Sequence, residues 1–181
     1  MKLFYIIIWL FPIIFMIHDF EEIVFIKLYQ RKNEEYINSL RGKTYIPFDF
    51  GGSLEVFSIG VAIEFISFSL ISTFSFIFDY YVVWYLFFTG FTIHLLGHIF
   101  LRIKFKKYVP ATITSIIFLP LCCYFVYKIT ILLDYSMLKT LILLILSPIA
   151  TLLWVYFLHK TFKFFGLLLN KYETFIKKNN V

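Results

Sequence analysis

The sequence predicts an all-α fold, a polytopic transmembrane helical bundle of about five spans. Three observations carry that prediction. Of 181 residues, 61% are hydrophobic and only 15% charged, against roughly a quarter charged in soluble chains. The apolar residues gather into runs that meet the roughly 20 residues needed to cross a bilayer core about 30 Å thick. These runs lack the alternation of barrel strands, and backbone groups in lipid must be satisfied within their own segment, so the spans read as helices.

The first span is expected over about Leu3–Leu28. Its opening "MKLFYIIIWLFPIIFM" has the apolar character of a signal peptide but no small-residue cleavage site, and it runs on through "HDFEE" to "IVFIKLY", so it reads as a helix kinked or locally adjusted at Pro12. The polar stretch Gln30–Ser53 predicts a short interfacial helix and then a loop closed by Pro47 and Gly51-Gly52. Further spans follow at about Leu54–Phe76, Tyr81–Leu101, Pro110–Leu132 and Leu138–Phe162. The tail "FGLLLNKYETFIKKNN" suits a helix lying on the membrane surface. The chain reads as one domain, 1–181, without internal repeats. Cys122 and Cys123 are helix neighbours pointing about 100° apart, which disfavours both a mutual disulfide and a metal pair and leaves them as core filler.

The net charge of +6 is distributed as a topology signal, so nucleic acid is not the expected partner. Lys27, Arg31, Lys32, Arg41 and Lys43 flank the first loop, Arg102, Lys104, Lys106 and Lys107 the third, and Lys160, Lys163, Lys171, Lys177 and Lys178 the C-terminal end. With five spans all of these fall on one side, opposite Lys2, Lys128 and Lys139. The positive-inside rule then predicts an external N-terminus and a cytoplasmic C-terminus, with the basic residues touching anionic membrane lipids. The expected location is the cell membrane, read as a bacterial plasma membrane.

Against this background the polar residues inside the spans stand out, because a charge near the centre of a spanning helix costs about 2.5–3.5 kcal/mol on insertion scales. The first span carries His18, Asp19, Glu21 and Glu22. Residues three and four apart share a helix face, so His18, Glu21 and Glu22 form a stripe while Asp19 points elsewhere. The third span carries His94 and His98 one turn apart, a spacing at which two imidazoles can reach one cation, and Gly97 beside them permits close approach of a helix or ligand. Glu64 stands alone in the second span. At 1.5 Å per residue from the cytoplasmic ends, these groups lie between about 6 and 15 Å deep, in one slab of the membrane. His159, beside Lys160, reads as an interfacial anchor.

Imidazole and carboxylate together suit a divalent transition metal (zinc, iron or manganese), as one ion or two sharing carboxylates. His18, Glu22, His94 and His98 are the expected ligands, with Glu64 ligating or orienting and Glu21 acting as general acid/base. Tyr108 and Thr114, at the mouth of the fourth span, are expected to hydrogen-bond a substrate head group; a simpler reading is an interfacial aromatic and a helix-start contact.

The string His18-Asp19-Phe20-Glu21-Glu22 reads H-x-x-E-E and resembles the signature of the HXXEE family of small polytopic membrane proteins. The likeness extends to the proline-containing "WLFPIIF" and to "HLLGHIFLRIKFKKYVPATITSIIFLP", which follows the family's N/H-x-x-G-H and Y-x-P-G-x-x-T patterns at His94, Gly97, His98, Tyr108, Pro110 and Thr114. Ala111 stands where the family usually has glycine. The resemblance covers roughly 3–120 and implies that these polar residues belong together, without bringing an activity.

The leading expectation is a metal-dependent membrane enzyme acting on a lipid-like, amphiphilic small-molecule substrate at the cytoplasmic leaflet. Hydrolysis is the first choice of reaction and di-iron oxidation the second. A proton or metal-ion carrier using the same residues, and a non-catalytic scaffold whose polar cluster locks helix packing, are the alternatives. A carrier needs a polar path onward, and the outer half is apolar apart from hydroxyls such as Thr73 and Ser75.

Overall fold

A computed structural model describes residues 2–40 and 53–179. Six helices and no strands occur among them: α1 (Lys2–Lys32), α2 (Glu34–Leu40), α3 (Leu54–Phe78), α4 (Val82–Phe105), α5 (Thr112–Leu132) and α6 (Met137–Asn179). All but α2 are long and apolar enough to cross a membrane, in agreement with the five predicted spans. The expected loop at Pro47 and Gly51-Gly52 lies outside the described residues. The tail differs from expectation. α6 runs unbroken for 43 residues, about 64 Å at 1.5 Å per residue, so the lysine-rich tail continues the fifth span as one helix.

α1 packs against α3 and α5, and α4 packs against α5 and α6. The core between them is aromatic: Phe11 meets Phe68, Trp84, Phe88 and Phe91 with ring centroids 4.7–5.9 Å apart. Helix continuity through Pro12 has an identifiable cause. Proline has no N–H for the carbonyl four residues back, which here is Ile8, and that oxygen instead accepts from Ser72 Oγ at 3.1 Å and Trp84 Nε1 at 3.3 Å. The carbonyl freed by Pro148, that of Leu144, accepts from Ser147 Oγ at 3.0 Å.

Small residues set the approach of α6. At Gly90 a Cβ would collide with Thr151 Oγ1 and lie 2.9 Å from the backbone oxygen of Ser147, and at Gly60 it would lie 2.7 Å from the Phe162 ring. Such contacts replace the hydrophobic drive that is absent between helices in lipid. α2 folds back through Asn33, whose side-chain amide donates to Tyr29 O at 2.9 Å. Ile37 then packs on Tyr29 and Val109, and Lys107 sits over the Tyr36 ring, 4.1 Å from its centroid. The segment joining α4 to α5 is thereby held against α1. Cys122 is buried and Cys123 exposed, both as free thiols.

Candidate metal centre

Two helices supply the cluster, each from one turn. His18 and Glu22 on α1 and His94 and His98 on α4 are both i, i+4 pairs, which places each pair on a single helix face. One ligand atom from each of the four lies within 4.8 Å of all the others. His98 Nε2 is 2.9 Å from His94 Nε2 and 3.1 Å from Glu22 Oε1, and the His18 ring centroid is 5.0 Å from that of His98 and 5.5 Å from that of His94. With bonds of 2.0–2.1 Å, a cation holds neighbouring donors about 2.9 Å apart in octahedral and about 3.4 Å apart in tetrahedral geometry. The two spacings at His98 Nε2, 2.9 and 3.1 Å, are of that order, and the others fall within 4.8 Å.

Hydrogen supply supports the same reading. His98 Nε2 carries at most one hydrogen, yet both His94 Nε2 and Glu22 Oε1 lie within bonding distance of it. His18 Nε2 is buried with no hydrogen-bond partner among the described residues. A cation would satisfy imidazole and carboxylate lone pairs gathered at one point. His18, Glu22 and His98 are buried, whereas His94 is exposed at the bundle surface. Among the described residues, nothing from outside the local helix backbone lies within 4 Å of the Cβ position at Gly97; no described helix packs there, contrary to one form of the expectation, and the space beside it is open.

Other residues read from the sequence fall elsewhere. Glu64, half-buried on α3, stands outside the four-residue group, close enough to Glu22 to interact with it electrostatically. Asp19 is buried and stays outside the four-residue group, as its position off the stripe predicts. Its burial on another face follows because α1 has neighbours on more than one side. His159 is exposed, with Nδ1 2.8 Å from Val155 O, and takes no part.

Glu21 and its expected companions need the largest revision. Oε1 of Glu21 accepts from Tyr108 Oη at 2.5 Å and from the amide of Ile113 at 3.2 Å, while Oε2 accepts from the amide and the hydroxyl of Thr114, each at 2.7 Å. Four donors fill the roughly four lone-pair sites of a carboxylate. Glu21 is therefore bound to the first turn of α5, where free amides and the helix dipole favour an anion, and no lone pair remains for acid/base work. Tyr108 and Thr114 hold Glu21 and are not free for a substrate. Burial, reinforced by the adjacent Glu21, pushes the Tyr108 hydroxyl above its ordinary range, so it remains a donor. The turn that permits this arrangement passes through Ala111, which has a left-handed backbone (φ 65°). A glycine there would serve backbone conformation.

A family model described as "Protein of unknown function with HXXEE motif" matches residues 9–125. No curated protein and no solved structure matches the chain. The matched segment covers well over half of the sequence and contains all four residues of the cluster together with Glu21, Tyr108 and Thr114. The chain belongs to the HXXEE family.

Proposed function

We propose that this protein is an integral-membrane, metal-dependent enzyme that acts on an amphiphilic, lipid-like substrate, with hydrolysis as its reaction. The observation that carries the proposal is the convergence of His18, Glu22, His94 and His98 on one point with His94 exposed beside it. A divalent ion of the zinc, iron or manganese class held there would supply a Lewis acid and lower the pKa of water. The four donors suffice for one ion. Glu64 and Asp19 stay close by, and the half-buried Glu64 is the reachable one, so the acid/base role moves from Glu21 to Glu64.

Substrate would enter sideways from the bilayer, past His94 and the open space at Gly97. Arg102, one turn beyond His98, and Lys104 are exposed on the same helix and suit an anionic head group. With the N-terminus outside, as the basic residues predict, this entrance faces the cytoplasmic leaflet.

Two observations disfavour the alternatives. Above the cluster, Phe11, Phe15, Phe68, Phe88 and Phe91 pack together, and Phe91 lies edge-on to His18 at 5.5 Å, so aromatic packing borders the cluster where a carrier would need a polar path. A packing lock needs no convergence of ligand atoms, whereas one such atom from each of His18, Glu22, His94 and His98 lies within 4.8 Å of all the others.

Elemental analysis of the detergent-purified protein tests the proposal. About one equivalent of a transition metal is expected, lost in both His18→Ala and His98→Ala. A preparation that stays metal-free after incubation with zinc, iron and manganese would overturn it. Reporter fusions after Val181 and in the Asp79 turn test the orientation; an external C-terminus would contradict it.

A further inference from the structure

We infer that Glu21 and Thr114 are positioning residues that fix the tautomer of His18, leaving Nε2 as its lone-pair nitrogen for the cluster. The inference deepens the metal-centre reading, although its first half concerns the metal-free protein. Thr114 Oγ1 has one hydrogen and three close neighbours: Glu21 Oε2 at 2.7 Å, Ala111 O at 3.3 Å and His18 Nδ1 at 3.0 Å. Glu21, already surrounded by donors, and the Ala111 carbonyl can only accept. The hydroxyl hydrogen is therefore committed to an oxygen, predominantly to the nearer carboxylate, and none is left for His18.

The 3.0 Å contact is favourable only if His18 Nδ1 carries a hydrogen and donates it to the hydroxyl lone pair. A neutral imidazole has one N–H, so Nε2 becomes the lone-pair nitrogen. Among the described residues, it is Nε2 that is buried without a hydrogen-bond partner. A directed chain thus runs from His18 Nδ1–H to Thr114 and from Thr114 to Glu21. Hydrogen bonds from outer groups orient metal-ligating histidines in this manner, and their loss typically weakens metal binding about 10–100-fold.

The test uses the full chain with ¹⁵N-labelled imidazoles in detergent, His18 being assigned by its absence in His18→Ala. In the metal-free wild type His18 should show a protonated Nδ1 and an unprotonated Nε2. Thr114→Ser, which keeps the hydroxyl, should preserve that pattern, and Thr114→Val, which keeps the shape, should lose it. Zinc affinity, read by competition with a chromophoric chelator, should fall about 10–100-fold in Thr114→Val and stay at the wild-type value in Thr114→Ser. An Nε2–H tautomer in the wild type, or a Thr114→Val protein with unchanged tautomer or unchanged zinc affinity, would overturn the inference. If no variant binds zinc while the tautomer follows the hydroxyl, the relay stands and the metal-centre reading fails.

Discussion

The Ile8 carbonyl offers a measurement of how this bundle tolerates a proline within its first long helix. Pro12 removes the helix's own donor to that oxygen, and Ser72 and Trp84 replace it from α3 and α4. All three side chains meet in a buried region. Ser72→Ala removes one of two donors, a loss of about 0.6–1.5 kcal/mol by comparison with hydrogen bonds in membrane and soluble proteins. Trp84→Phe removes the other, with an additional packing loss of about 1–3 kcal/mol. The double variant leaves the carbonyl bare in an apolar core, a penalty of about 1–3 kcal/mol that neither single variant incurs, so the combined loss should exceed the sum of the two. In a Pro12→Ala background the residue-12 amide returns to Ile8 O and the excess should vanish. A loss of 1 kcal/mol lowers Tm by about 2–4 °C in a chain of this size, within reach of thermal unfolding in detergent. Strict additivity in the Pro12 protein, or an equal excess in both backgrounds, would refute this account of the proline.

The remaining predictions concern packing, the turn before α5 and the cluster. Gly90→Leu should separate α4 from α6, because the Ser147 carbonyl cannot rotate away as the Thr151 side chain can; a loss of at least about 1–3 kcal/mol is expected in detergent unfolding, only partly relieved by Thr151→Ala. Ala111→Gly should leave stability unchanged or raise it by up to about 1 kcal/mol, while Ala111→Val should lower it, since a branched residue is poorly accommodated at φ 65°. Glu64→Gln should retain the metal, because Glu64 is not among the four converging residues; elemental analysis showing an empty protein would place it among the ligands.

Much of the fold was legible because hydrophobic run length reports directly on what a helix can cross. The sequence is less informative about where a helix ends. From Lys160 onward lysines enter the apolar pattern, a change of solvent that reads as a change of element, yet the stretch contains no proline and only Gly166, so nothing stops α6. At the cluster, two i, i+4 pairs could be read because local geometry alone puts His18 with Glu22 and His94 with His98. The partner of Glu21 could not. Thr114 lies 93 positions away, and helical spacing shows which side a carboxylate leaves a helix from, not which neighbour waits there.

The two glutamates of H-x-x-E-E therefore face different neighbours. Residues three and four after His18 lie about 100° apart around the helix axis, and the third reaches the start of α5 while the fourth reaches α4. Their substitution should separate the two tasks. Glu22→Gln removes a buried charge from the cluster and leaves the bonds to α5 intact, so metal-free stability should hold or rise, while the increase of Tm on adding zinc should disappear, since that increase reflects binding to the folded state. Glu21→Gln replaces one carboxylate oxygen by an NH₂ group, which must face donors at a junction where it cannot accept. Hydrogen bonds to charged groups contribute about 1.5–3 kcal/mol each. Each oxygen accepts two, of which only the hydroxyl donor can turn to accept. The loss of at least one should therefore lower metal-free Tm by at least roughly 3–12 °C, with weaker zinc binding following from the released His18. Both responses are measurable by one melting experiment with and without zinc. If the two variants behaved alike, the division would be wrong and the adjacent glutamates would have to act as one acidic unit.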